Sequence, residues 1–165
     1  TARKVQTYAT SVRGIDNTLI NTRSFPAYGI SFSLDATGGV FEPNQKQFII
    51  FADIPESTGE LPNKRYSNGS GSCGNPIAGD ECLEKFSINT SDSIVAICPN
   101  GVCVGSGAVD ITFRRPIPDA IICYKLSFGD TCQTSNISYV DIIVQSAKGL
   151  TRKVSIWNTG QISVK

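Results

Sequence analysis

The hydrophobic period of this chain changes once, and that change limits what it can fold into. Up to residue 25 the apolar positions Val5, Tyr8, Val12, Ile15 and Leu19 recur at spacings of 3, 4, 3 and 4, with Arg, Lys, Gln, Asp and Asn around them. A stripe of this kind marks an amphipathic helix lying on other structure. Gly14 and several Ser and Thr residues weaken its intrinsic propensity, so packing has to hold it, and Pro26 ends it at the latest. From Tyr28 the period becomes two. "YGISFSL" places Ile30, Phe32 and Leu34 on one face, and "KQFIIFADI" is apolar enough to be buried on both sides. Residues 54–80 are polar and rich in Gly, Pro, Ser and Asn, a length that inside a compact domain is functional or disordered. The runs "EKFSI", "SIVAIC", "AVDITFRR", "AIICYKLSF", "SYVDIIVQS", "RKVSIW" and "QISVK" follow, with turn signals at intervals of about ten residues. The last two flank Asn158-Thr159-Gly160 and read as a closing hairpin. The expectation is an α+β fold in one domain over 1–165. It has one N-terminal amphipathic helix over 1–25, packed on antiparallel sheet, and a β-rich body over 28–165.

Six cysteines and no histidine narrow the chemistry. Histidine is the commonest general base and metal ligand, so triads, Cys-His dyads and most zinc hydrolase sites are excluded. Six cysteines allow fifteen connectivities. Nearest-neighbour pairing is the preferred reading, because each pair brackets turn-forming residues: Cys73 with Cys82, Cys98 with Cys103 and Cys123 with Cys132. Loops this short contribute roughly 2–3 kcal/mol each by chain entropy. The competing reading is a metal site or reduced thiols, against which stand the missing C-x-x-C and the missing histidine. Oxidised cysteines imply an extracytoplasmic protein with disulfide-stapled loops.

A net charge of +1 with 18% charged residues offers no basic surface for nucleic acid. There is no apolar run of about 18 residues and no signal peptide, so the chain as given reads as soluble. It starts on Thr1 without any Met and reads as a fragment or processed form. Asp80-Glu81 reads as surface charge rather than an acid/base pair. Arg114-Arg115 offers an anion contact or a solvated strand end. No Ser or Thr has a nucleophile context, and no enzyme activity is expected. Trp157 is expected in the core under the helix, with an exposed contact patch as the alternative.

The order of several stretches resembles the type IV pilin-like proteins, specifically the GspH/FimT-like minor pilins and pseudopilins. "AYGISFSL" is similar to their first strand after the helix, and "QFIIFADI" to the next. "VDITFRRPIPDAII" is similar to a strand-Pro-strand passage of bacterial members, and "RKVSIWNTGQISV" to their closing hairpin. The resemblance implies a hydrophobic half-helix upstream that anchors the subunit in the inner membrane before assembly. It also implies assembly with other pilin or pseudopilin subunits through the face Val5, Tyr8, Val12, Ile15 and Leu19. Residues 54–80 would then be presented for subunit contacts, or to a surface or host ligand, on a cell-surface filament or in the periplasm. Related proteins often carry an acidic, calcium-like loop after Phe-Ala-Asp. Here the D-x-D-x-D pattern is absent, and Asp53, Asp80, Glu81 and Glu84 are the carboxylates left as candidates. Calcium takes about six to eight oxygens, so no cofactor is expected and the Cys73–Cys82 staple does the ordering instead. The other functional reading is a free-standing secreted, disulfide-rich β-sandwich binding module, adhesin-like or lectin-like.

Overall fold

Helix propensity decides the start of the chain. The computed structural model describes residues 2–10, 14–17, 22–36, 39–55, 60–68, 72–74, 76, 80–114, 119–127, 130–133 and 136–165. Helix α1 spans Ala2–Thr10, nine residues, and is followed by two short antiparallel strands, β1 (Ile15–Asn17) and β2 (Thr22–Ser24). The expected helix to residue 25, and with it the α+β pilin-like fold, is therefore corrected. A helix of this length is marginal on its own, and Gly14 with the surrounding Ser and Thr residues gives it no reason to continue. Ile15 sits on a strand, while Val12 and Leu19 lie outside the described residues. The stripe is not one helical face.

The body is a two-sheet β-sandwich. Strands β3 (Ala27–Ser33), β4 (Gln47–Asp53), β5 (Cys82–Ser87), β7 (Ala108–Phe113) and β8 (Ala120–Lys125) form a five-stranded sheet in the order β5-β4-β3-β7-β8. Strands β6 (Ser93–Pro99), β9 (Tyr139–Gln145), β10 (Thr151–Trp157) and β11 (Ile162–Val164) form a second sheet in the order β11-β10-β9-β6. Every pairing is antiparallel. The alternating residues Ile30, Phe32, Ile50, Val109 and Ile111 of the first sheet share one core with Ile94, Ile97, Val140, Ile142 and Ile156 of the second. Two sheets meeting through such inward rows define a sandwich.

Helix α1 closes one side of that core. Val5 is fully buried in it, and the Tyr8 ring lies edge-on to Tyr28 with centroids 5.9 Å apart. Tyr8 donates its hydroxyl to Glu84 of β5 at 2.9 Å, and Gln6 Nε2 donates to the Gly160 carbonyl at 2.9 Å. One short helix thus ties the first sheet to the β10–β11 turn of the second. The final hairpin is pinned by reciprocal Lys153 and Lys165 backbone bonds of 2.9 Å. Trp157 is half-buried on the outer face of the second sheet, 6.1 Å from the Tyr139 ring, and not in the core beneath the helix.

Three disulfides join Cys73 to Cys82, Cys98 to Cys103 and Cys123 to Cys132. Three such bonds belong to an oxidising, extracytoplasmic environment. Among the described residues no helix is long and apolar enough to cross a membrane.

Candidate functional site

On the outer face of the five-stranded sheet, strand alternation leaves Ser31, Asp53, Asp110, Thr112 and Lys125 pointing away from the core. In a free sheet these would be solvated. Here all five are buried, because the segment between β4 and β5 folds back over them as a strap. Its apolar contacts form a second small core, Ile49, Phe51, Tyr66 and Cys82, with Phe41 and Cys73 packed alongside. Gly29 makes room for it: a Cβ there would stand 2.2 Å from the Phe51 ring.

Carboxylates hold the strap by its backbone. Glu81 accepts the Ile54 N–H at 2.7 Å on one oxygen and the Ser67 N–H at 2.9 Å on the other, so one side chain clips two separate points of the strap. Asp53 accepts the Lys64 N–H at 3.0 Å, and the Thr112 hydroxyl donates to the Lys64 carbonyl at 3.3 Å. Lys64 itself has φ of 61°, a left-handed conformation that a non-glycine residue keeps only when its surroundings impose it. Asp110 accepts the Tyr66 N–H at 3.0 Å, the Ser31 hydroxyl at 2.5 Å and the Lys125 ammonium at 2.6 Å. Asp80 accepts the Ser72 hydroxyl at 2.9 Å beside the Cys73–Cys82 bridge.

Burial shifts these acids strongly. It pushes Glu81 up to about 9, against the Ile54 and Ser67 N–H groups that favour its charged form. It pushes Asp53 up to about 6, against the Lys64 N–H. The Tyr66 phenol is also raised, by burial first and then by the nearby carboxylates.

Two of the carboxylates named as calcium candidates, Glu81 and Glu84, have other partners. Both oxygens of Glu81 are used by backbone N–H groups. Glu84 faces α1, where it takes the Lys4 ammonium at 2.7 Å and the Tyr8 hydroxyl. Of those four candidates Asp53, Asp80 and Glu81 face the strap, and among the described residues no group of three or more His, Cys, Asp or Glu side chains is placed to hold a metal ion.

At the edge of the strap lies a pocket of about 290 Å³ with mostly apolar walls, lined by Asp53, Leu61, Pro62, Lys64, Thr112 and Arg114 among others. Leu61 is 87% exposed on its rim. Among the described residues neither Arg114 nor Lys64 makes an ion pair. Arg115 lies outside the described residues. The arrangement can receive an anion on Arg114 and Lys64 and an apolar ring face on Leu61 and Pro62, while Thr112 and Asp53 are buried and bonded to Lys64 behind them.

Sequence reasoning reached Asp53, Asp80, Glu81 and Arg114 but passed over Asp110, Lys125 and Ser31. The available signal was a lone acid in "AVDITF" and a lone base in "CYKLSF", both on outward strand positions. Compared with family models, with curated proteins and with solved structures, the chain matches none.

Proposed function

We propose that this disulfide-stapled β-sandwich is an extracytoplasmic binding module, without catalytic activity, that recognises an acidic saccharide in the pocket at the edge of the strap. The observation behind this reading is that several buried carboxylates and a disulfide fix the strap while leaving two cations and an exposed leucine at its margin. Ordering a surface before contact lowers the entropy lost on binding, which is what a recognition site gains from such pinning. Arg114 holds the ligand carboxylate in the bidentate geometry suited to guanidinium, Lys64 adds a second cation, and Leu61 covers a ring face. Assembly with pilin or pseudopilin subunits, anchored in an inner membrane, rests on the sequence resemblance alone. The nine-residue helix, with Val5 buried in its own sandwich, lends it no support.

Titration of the folded protein with N-acetylneuraminate, glucuronate and glucose, followed by amide shifts, tests the reading. Acidic sugars are expected to shift Lys64, Thr112 and Arg114 saturably, with Kd on the order of 0.1–1 mM, or about −5.5 to −4 kcal/mol. Glucose should be weaker, and Arg114→Glu should abolish binding with the fold intact. Shifts absent from these residues up to about 10 mM of either acid, an order of magnitude above the expected Kd, reject it.

A further inference from the structure

A second cavity lies on the other side of the five-stranded sheet, between the two layers, and has a volume of about 310 Å³. Ile30, Phe32 and Phe48 wall it from one sheet, and Ile94, Ile142 and Val154 from the other. The row crosses the second sheet transversely, since Ile94 is paired with Val144 and Val154 is paired with both Ile142 and Val164. Its far wall is core. Its mouth is marked by Val164, 66% exposed, and by Arg3, which is also exposed.

Two features distinguish this slot from a packing defect. A concave apolar slot that opens to solvent favours an apolar occupant, because covering its walls removes them from water. Its lining also has one polar side chain among the described residues, Arg3. Neighbouring Lys4 is engaged by Glu84 at 2.7 Å, whereas the Arg3 guanidinium makes no ion pair among the described residues. A cation at the rim of an otherwise apolar slot is complementary to one kind of molecule.

We propose that the slot between the sheets binds a small anionic amphiphile, an aliphatic chain lying across the second sheet with its carboxylate on Arg3. The volume is roughly twice the 150 Å³ that admits one benzene, enough for a tail of about a dozen carbons. Guanidinium pairs with a carboxylate or a phosphate monoester by the same forked geometry, so the head chemistry is shared between a fatty acid and an alkyl phosphate. The site is separate from the strap pocket and does not depend on it.

The test uses dodecanoate, octanoate, dodecyl phosphate and dodecyltrimethylammonium, each below its micelle concentration, with methyl shifts as the readout. Dodecanoate is expected to shift Ile94, Ile142 and Val154 saturably. Affinity should fall about fourfold for each methylene removed toward octanoate. Dodecyltrimethylammonium should bind at least tenfold more weakly, and Arg3→Glu, a surface change, should reverse that preference. Val154→Phe, which obstructs the slot, should weaken binding of every dodecyl probe at least tenfold while Arg3→Glu confirms that the fold tolerates substitution nearby. Dodecyl phosphate binding more tightly than dodecanoate would assign the head to a phosphate ester and retain the anionic site. Equal binding of anionic and cationic probes, or indifference to Arg3→Glu, overturns the anion claim. Methyl shifts absent, or confined to the strap, overturn the site altogether.

Discussion

Replacing Lys125 with Met should release the strap before it unfolds the sandwich. The Lys125 ammonium sits 2.6 Å from Asp110, and the two side chains are 1% and 0% exposed. Removing one partner of a buried pair leaves the other charge poorly compensated and costs about 3–5 kcal/mol. Asp110 would keep only the Ser31 hydroxyl and the Tyr66 N–H of the contacts described above. In a chain of 165 residues each kcal/mol lowers Tm by about 2–4 °C, so the drop should be roughly 6–20 °C. Because Asp110 also holds the strap at Tyr66, trypsin cleavage after Lys64 and Arg65 should accelerate under native conditions, when the sheet is still folded. Adding Asp110→Asn to Lys125→Met removes the charge and keeps an acceptor for Tyr66. Neutralising both partners of a buried pair is often nearly neutral, so the double variant should recover most of the loss. Calorimetry and tryptic digestion of the two variants decide the matter. A Tm loss under about 2 °C for Lys125→Met, or a double variant no better than the single one, would refute the role assigned to the pair.

Three other perturbations follow from the same face. Asp53 is raised from 3.8 to about 6 by burial, so the folded state binds its proton more tightly than the unfolded state. Its contribution is full below about 3.8 and is lost as pH rises through about 6, a span worth roughly 3 kcal/mol at most. Asp53→Asn, which keeps an acceptor for the Lys64 N–H, should therefore stabilise the protein relative to wild type at pH 7 but not at pH 4. Urea midpoints that shift equally at both pH values would contradict this. Gly29→Ala forces a methyl to within 2.2 Å of the Phe51 ring and should cost about 1–3 kcal/mol, relieved by adding Phe51→Leu. An unchanged denaturation midpoint would show that the ring moves freely. Serine at both Cys73 and Cys82 should lose about 2–3 kcal/mol and expose the strap to protease. Intact strap protection in that variant would place the ordering in the carboxylates alone.

The pattern of letters determined most of the strands. Two-residue alternation in "YGISFSL" and "RKVSIW" told which residues share a face, and Asn158-Thr159-Gly160 told where the chain reverses. The extent of the helix was not legible. Spacings of three and seven at Val5, Tyr8 and Ile15 fit a helix, but they also fit a nine-residue helix followed by a strand, and weak propensity chose the second. The long-range partners were equally hidden. β3 pairs with β7, bringing Ser31 opposite Asp110 across 79 residues of sequence, and nothing local encodes that choice. The site depended on it. Alternation marks Ser31, Asp110, Thr112 and Lys125 only as facing away from the core, which in a sequence reads as facing water. Tertiary structure placed the strap over them, and desolvation turned an ordinary polar face into a buried network that holds the strap in place. A sequence specifies which side of a strand is polar through its period, but what covers that side is set by a distant segment, and so is the energy of every charge on it.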